Sequence, residues 1–133
     1  MPQKFTKMKS IQVFLNYDLS FNGDYEGLFK WLDDHNADDC GQNFCEFSYT
    51  VNPGEISQKE PQKAANQVAM MIDKDITSTV KLNKGDRIYI VSSYDNVMFS
   101  GFLAGGHGPK PWAGYSTRSQ QTPKIKIVNE VDS

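Results

Sequence analysis

The sequence has few residues of the types that build disulfide frameworks or zinc sites, with only two cysteines and two histidines among its 133 residues. Cys40 and Cys45 lie five positions apart, and neither they nor the distant His35 and His107 match the spacing of a zinc site. The chain also lacks an apolar run of the roughly 18–20 residues that cross a bilayer, and its first ten residues lack the apolar core of a signal peptide. We therefore expect free thiols, no membrane contact and a cytoplasmic protein.

A strong excess of one charge is also missing, because the formal net charge is −2 and the isoelectric point is about 5.6. This balance does not favour a strongly basic nucleic-acid binder. The charges are nevertheless uneven: residues 18–46 hold eight acidic side chains and one lysine, and residues 79–126 hold seven basic and two acidic side chains. Such a separation can steer a charged partner, although each run is also typical of an ordinary solvated surface.

The apolar residues, 38% of the chain, are spaced in a way that predicts alternating strands and helices. The predicted strands are 11–17, 41–51, 87–93 and 97–103, with a short last strand at 124–128. The predicted helices run from the capping residue Asp24 to about Asn36, and from Pro61 to about Thr79. Eight residues are expected in the core: Phe14, Leu28, Trp31, Phe47, Val68, Ile72, Ile88 and Ile90.

The resulting order β-α-β-α-β-β predicts an α+β protein, a ferredoxin-like or related sandwich. Each helix has a single apolar stripe to bury, so we expect one sheet with both helices on one face. The length fits a single domain, 1–133. Within it, residues 1–10 are expected to form an N-terminal arm and residues 104–133 a loop and C-terminal tail.

Asp18 directly follows the first predicted strand. A carboxylate there projects from the sheet edge, where it could bind a divalent metal ion. One carboxylate is a poor magnesium site, because such sites usually add a second carboxylate or substrate phosphates. Two copies of Asp18 across a homodimer would supply the pair. The alternative is a loop aspartate that closes an Asx-turn or contributes to the next helix cap.

The segment from Ala104 to Tyr115 is rich in glycine and proline and combines several groups that a ligand site needs. Its glycines permit close approach of a ligand, its lysine can contact phosphate, and its aromatic rings can stack on a base. It is not a P-loop, since it lacks the lysine-serine ending and opens no predicted helix. The alternative is a structural loop whose Trp112 fills the end of the core. The candidate ligand-binding residues are Gly105, Gly106, His107, Lys110, Trp112 and Tyr115.

No catalytic constellation can be read from the sequence. Neither His35 nor His107 lies beside a serine or cysteine in a nucleophile motif, and we interpret them as unrelated surface histidines. No catalytic residue and no cofactor are therefore assigned.

The run IQVFLNYD at residues 11–18, the helix with Tyr25-Glu26-Gly27-Leu28 and the strand FCEFSYTV at residues 44–51 resemble one family. This is the small ferredoxin-like subunit of the CRISPR spacer-integration complex, with its stand-alone relatives. The resemblance covers roughly residues 11–95 and implies a dimer associated with nucleic acid, with a metal bound between subunits at the position of Asp18. The family has two strands before its second helix, where one is predicted here.

Three functions remain open at this point. The leading interpretation is a non-enzymatic, dimeric binding module that uses the loop from Ala104 to Tyr115 to bind a nucleic acid, a nucleotide or a protein. The second is a metal-dependent phosphodiesterase or nuclease that uses Asp18 and Mg²⁺. The third is an acidic inhibitor, of the kind found in phages, mobile elements and defence systems, whose acidic region 18–46 occupies a basic groove on its partner.

Overall fold

A computed structural model describes residues 7–106, 108 and 110–117; the predicted strand at 124–128 lies outside them. A 3₁₀ turn at Pro53–Glu55 precedes the second helix. Within the described residues, no helix is long and apolar enough to cross a membrane. The strands and helices are, in chain order, β1 (Lys9–Asp18), α1 (Tyr25–Asp34), β2 (Asp38–Gly41), β3 (Phe44–Val51), α2 (Pro61–Thr77), β4 (Arg87–Tyr94) and β5 (Val97–Ala104).

The five strands form one antiparallel sheet in the spatial order β2-β3-β1-β4-β5. The protein is therefore α+β, with one five-stranded sheet and two helices, an architecture consistent with a ferredoxin-like sandwich. The predicted order β-α-β-α-β-β was wrong by one strand, because two strands, β2 and β3, separate the helices. The missed strand has four residues and begins with Asp38 and Asp39, a residue type that is depleted in strands.

Local sequence signals account for the ends of the other elements. The Asp24 side chain accepts a hydrogen bond from the Gly27 N–H and caps α1, as predicted. Pro61 occupies the first turn of α2, where its missing N–H leaves no bond unmade. The β4–β5 hairpin turns at Asp95 and Asn96, whose φ angles of 51° and 66° match the tight turns that favour these residues.

One face of the sheet is buried beneath the helices. On β1 the side chains of Ile11, Val13 and Leu15 are almost fully buried. The buried side chains of both helices belong to the same core cluster, which places both helices on that side of the sheet. Seven of the eight residues expected in the core are buried, namely Leu28, Trp31, Phe47, Val68, Ile72, Ile88 and Ile90.

Phe14 is the exception to the predicted core. Its neighbours Val13 and Leu15 point into the core, so the pleat of the strand turns Phe14 to the opposite side. There it is only partly buried. We call this side of the sheet the open face. The core face of β1 is therefore apolar, whereas its open face carries the single aromatic Phe14 between the polar Gln12 and Asn16.

A buried carboxylate joins the loops at one end of the sheet. Asp86 is 1% exposed and accepts hydrogen bonds from the backbone N–H groups of Ser20, at 2.6 Å, and Asn83, at 2.7 Å. Burial alone would raise the pKa of Asp86, but these hydrogen bonds favour the charged form more strongly, and the pKa is lowered. Asp86 thus fixes the loop after β1 against the loop before β4.

Candidate functional site

The open face carries a row of aromatic side chains that crosses four strands. Asn16 in β1 lies opposite Phe44 in β3 on one side and opposite Tyr89 in β4 on the other. Tyr89 in turn lies opposite Phe102 in β5. The rings of Tyr89 and Phe102 meet edge to face, with centroids 4.9 Å apart. The row therefore presents aromatic rings on both sides of a central amide.

A charged pair borders this row at the end of β1. Asp18, the last residue of β1, lies opposite Arg87, the first residue of β4. The Arg87 Nη2 donates to Asp18 Oδ2 at 2.9 Å, and both side chains remain about half exposed. Because Arg87 precedes Tyr89 by two residues, a cation projects from the same face directly beside the aromatic row.

The segment after β5 turns back towards the open face. Gly105 has a φ of +72°, a conformation that favours glycine, and a Cβ at this position would come too close to the Asp86 carbonyl oxygen and within 2.7 Å of the Arg87 Cγ. The following residues make two turns closed by backbone hydrogen bonds, one from the Ala113 N–H to the Lys110 carbonyl at 3.1 Å. Gly105 thus gives the chain the bend that directs this loop.

The loop and the sheet together line a cavity of about 1060 Å³ that is open to solvent. Its sheet side is formed by the aromatic row and the Asp18–Arg87 pair, and its loop side by Gly108, Lys110, Pro111 and Trp112. The described lining residues include no histidine, cysteine or serine. They are Asn16, Asp18, Phe44, Arg87, Tyr89, Phe102, Gly108, Lys110, Pro111 and Trp112. We call this space the open-face cavity.

The two sites predicted separately from the sequence meet in this cavity. Asp18, predicted as a metal ligand, and Lys110 and Trp112, predicted as ligand-binding residues, all line it. Trp112 is 68% exposed and does not fill the core.

The other predicted ligand-binding residues do not line the cavity or are not among the described residues. Gly105 shapes the loop without lining the cavity, and Gly106 and the 83% exposed Tyr115 are also not among the lining residues. His107 lies outside the described residues.

The charges at the site suit an anion better than a metal ion. Arg87 and Lys110 outnumber the single carboxylate of Asp18, which is already paired with Arg87. The described part of the chain contains no group of three histidine, cysteine, aspartate or glutamate side chains placed to hold a metal ion. Metal binding by Asp18 remains a prediction that needs further ligands, such as a second subunit or a substrate phosphate.

On the sheet side of the cavity, sequence reasoning marked only Asp18. Arg87, Tyr89 and Phe102 were assigned to strands, but nothing marked them as a site. The signal was the alternation itself: in β4 the core residues Ile88 and Ile90 flank Tyr89, so the tyrosine points to the open face. A bulky ring on the face opposite the core is the pattern that would have located the surface.

A second polar cluster lies on the core side, between the helices. Asp75 in α2 accepts hydrogen bonds from the Trp31 Nε1–H, at 3.2 Å, and from the Tyr49 hydroxyl, at 2.9 Å. Its Oδ2 also lies 3.8 Å from the His35 Nε2. The His35 ring stacks on that of Trp31, with centroids 3.8 Å apart. These contacts tie α1 to α2 and give His35 a place in their packing; its relation to His107, which lies outside the described residues, stays a prediction.

The chemistry of this cluster is structural. Burial, together with the hydrogen bond to Asp75, raises the pKa of Tyr49. The tyrosine therefore stays protonated and donates its hydrogen bond at every physiological pH. A raised pKa of this origin keeps a donor in place and does not activate it as a base.

Comparisons of this chain with protein families, with curated proteins and with solved structures gave no match.

Proposed function

We propose that the protein is a binding module for a nucleotide unit, free or within a single-stranded nucleic acid, and that the ligand occupies the open-face cavity. The observation that carries this proposal is the convergence of four aromatic rings and two cations around one space. The flat apolar surfaces belong to Phe44, Tyr89, Phe102 and Trp112, and the positive charge belongs to Arg87 and Lys110. A base with its phosphate is a flat ring joined to an anion, and it matches both features.

The magnitudes support a usable affinity. Stacking of a base on an aromatic side chain is worth about 1–3 kcal/mol, and a charge-assisted hydrogen bond about 1.5–3 kcal/mol. One stack and one or two phosphate contacts together are worth about 2.5–9 kcal/mol, and the cost of association offsets much of this, so we expect weak binding of a single nucleotide. Exposed aromatic residues on a four-stranded sheet are a known platform for bases in RNA-binding domains.

The sheet topology gives this platform its form. We take β1 to β4 as a ferredoxin-like unit, with the spatial order β2-β3-β1-β4, and β5 as an added edge strand. The addition of β5 brings Phe102 beside Tyr89 and carries the chain into the loop that holds Lys110 and Trp112. The edge strand therefore serves to complete the cavity.

Single strands are favoured over duplexes. A duplex offers phosphates but hides the faces of its bases, so the aromatic rings would gain nothing from it. The net charge of −2 also disfavours the sequence-independent attraction on which duplex binding largely depends.

Several sequence-based expectations stay predictions beside this proposal. They are the homodimer, the cytoplasmic location, the resemblance to the CRISPR subunit with its link to phage defence, and the two alternative functions. The nuclease alternative requires Mg²⁺-dependent turnover. The inhibitor alternative requires binding to a basic protein that is lost when the acidic side chains of region 18–46 are reversed.

Tryptophan fluorescence provides the test. Trp31 is 2% exposed and Trp112 is 68% exposed, so a ligand in the cavity should quench mainly Trp112. We expect adenosine monophosphate and an eight-nucleotide single strand to quench this signal, and a blunt duplex of equal length to leave it unchanged at the same concentration. The Trp31→Phe variant should retain the response. Quenching by none of the three would contradict the proposal.

A further inference from the structure

The aromatic surface of the open face continues beyond the cavity. Phe14 does not line the cavity, but its ring is nearly parallel to that of Phe44, at an interplanar angle of 6° and a centroid distance of 5.9 Å. Phe44 is 36% exposed and Phe14 is partly exposed. Phe14, in β1, thus extends the aromatic row from Phe44 to a position outside the cavity.

The aromatic position at Phe44 and Phe14 is displaced along the row from the position at Tyr89 and Phe102. Phe44 and Tyr89 both lie opposite Asn16, on the two strands that flank β1. Neighbouring strands are about 4.8 Å apart, so the two positions are about 10 Å apart. The open face therefore has one aromatic position at Tyr89 and Phe102, and a second at Phe44 and Phe14.

We propose that the occupant of the open face is a single-stranded nucleic acid that places at least two bases on the sheet, one at Tyr89 and Phe102 and the next at Phe44 and Phe14. This inference rests on the proposed function and names the ligand class as an oligonucleotide. Aromatic residues on an open four-stranded sheet accept two or three bases in RNA-binding domains, which is the capacity of these two positions.

Asn16 lies between the two aromatic positions, and its amide can form hydrogen bonds with the edge of a base. The Asn16 Nδ2 donates to the Asn43 carbonyl at 3.2 Å, which fixes its amide on the open face. That bond uses only one of the two amide hydrogens and leaves the carbonyl oxygen as an acceptor. An asparagine amide can pair with a base through one donor and one acceptor.

The charges on the open face determine on which side of the aromatic row the phosphates of the nucleic acid lie. Arg87 precedes Tyr89 by two residues on the open face, and Glu46 follows Phe44 by two residues on the same face. Arg87 lies opposite Asp18 and Glu46 lies opposite Phe14, which are two residues to either side of Asn16 along β1. The cation and the carboxylate therefore lie on opposite sides of the aromatic row. Phosphates are attracted to the Arg87 side and repelled from the Glu46 side.

The experiment compares adenosine monophosphate, a diadenylate and an octa-adenylate by fluorescence titration of the full chain. We expect the second base to raise affinity by about 5- to 150-fold, the factor that corresponds to one stacked base. In Phe14→Ala this gain should be lost for the dinucleotide, with the affinity for the mononucleotide unchanged. Met98→Ala is the matched control, because Met98 is a 66% exposed apolar residue in β5 that does not line the cavity.

Phe14→Leu keeps the apolar volume and removes the ring, and it replaces the alanine variant if circular dichroism shows that Phe14→Ala unfolds. Equal affinity of the wild type for one and two nucleotides would overturn the inference but leave the proposed function in place. A Phe14 variant that retains the gain would do the same. Failure of all three ligands to bind would overturn both.

Discussion

The carboxylate of Asp18 and the guanidinium of Arg87 form an ion pair 2.9 Å long between the ends of β1 and β4. Both side chains are about half exposed, so the pair contributes little to stability, about 0–1 kcal/mol. Its consequence lies in the cavity, where Asp18 orients the cation and also neutralises part of its charge. Asp18 could act as a metal ligand or as the partner of Arg87, and the two roles predict opposite effects when its carboxylate is removed: a loss of activity in the first case and a gain in anion affinity in the second.

We expect Asp18→Asn to fold normally, with a change of less than about 1 kcal/mol in the free energy of unfolding. Loss of the carboxylate raises the positive charge of the cavity, so affinity for adenosine monophosphate should increase at low salt, and the increase should fade as ionic strength rises. Titrations at two salt concentrations measure this, with the exposed Asp33→Asn as control. Mg²⁺-dependent hydrolysis of single-stranded DNA that Asp18→Asn abolishes and Asp33→Asn preserves would instead establish the nuclease alternative.

Asp86 should be the most costly carboxylate to remove. Asp86→Ala leaves the backbone N–H groups of Ser20 and Asn83 without their acceptor, and we expect a loss of about 2–4 kcal/mol in the free energy of unfolding. Asp86→Asn keeps one oxygen acceptor and should lose less. Chemical denaturation measures both. Equal stability of Asp86→Ala and the wild type would contradict the role of Asp86 in joining the two loops.

Acidic pH should reduce the stability that the Asp86 carboxylate contributes. The pKa of Asp86 is lowered in the folded protein, so its stabilising contribution is present above the ordinary value of 3.8 and is lost as the pH falls through the folded value. The difference in stability between the wild type and Asp86→Asn should therefore narrow on acidification below about pH 4. A difference that stays constant to pH 2 would contradict the lowered pKa.

The elements that depend on repeated patterns could be predicted from the sequence, and those that depend on single residues could not. The long helices and the β4–β5 hairpin repeat a signal several times, whereas β2 offers four residues that begin with two aspartates. Phe14 was placed wrongly for another reason: its hydrophobicity was weighed above the alternation of β1, in which Phe14 shares its face with Gln12 and Asn16. The cavity also depends on the pairing of Asn16 in β1 with Tyr89 in β4, two strands that are distant in the chain, and this pairing cannot be read from either strand alone.

The two cysteines should differ sharply in reactivity. Cys45 is 4% exposed, and its burial, followed by the nearby charges of Cys40 and Asp39, raises the pKa of its thiol to about 11. Cys40 is exposed, but desolvation and the carboxylate of Glu46 raise its pKa. At pH 8 we expect one thiol per chain to react with a disulfide reagent, more slowly than a free thiol. The second should react only on unfolding; two thiols reacting at equal rates in the folded protein would contradict this burial.

Alkaline pH should destabilise the protein through the same thiol. A folded pKa of about 11 against an ordinary 9.0 for Cys45 means that its contribution is fully present below pH 9.0 and is lost as the pH rises towards 11. Tyr49, whose pKa is also raised above its ordinary 10.0, adds a loss at higher pH. Thermal melting from pH 8 to 11 should show a smaller decline in Cys45→Ala than in Cys40→Ala. Identical slopes in the two variants would contradict the raised pKa of Cys45.

Alanine substitutions at Gly105 and Gly106 test whether the bend at Gly105 positions the loop for binding, with Gly106 as the control position. Gly105→Ala forces a side chain into a left-handed conformation and against Arg87, whereas a Cβ at Gly106 meets nothing within 4 Å. We expect Gly105→Ala to lower stability by about 1–2 kcal/mol and to weaken nucleotide binding, because the bend directs Lys110 and Trp112 to the cavity. Gly106→Ala should change neither quantity. Equal effects of the two substitutions on binding would contradict the loop geometry.

The most direct test of the open-face cavity is a calorimetric titration of adenosine monophosphate against wild type, Lys110→Ala, Trp112→Ala and two matched controls. The controls are Lys63→Ala, an exposed lysine in α2, and Phe21→Ala, an aromatic side chain that is 99% exposed and does not line the cavity. We expect Lys110→Ala to lose about one to two decades in affinity, the equivalent of one charge-assisted contact, at an unchanged melting temperature. Trp112→Ala should lose a similar amount through stacking, and both controls should bind like the wild type. Wild-type affinity in Lys110→Ala and Trp112→Ala would contradict the account and leave the loop as architecture alone.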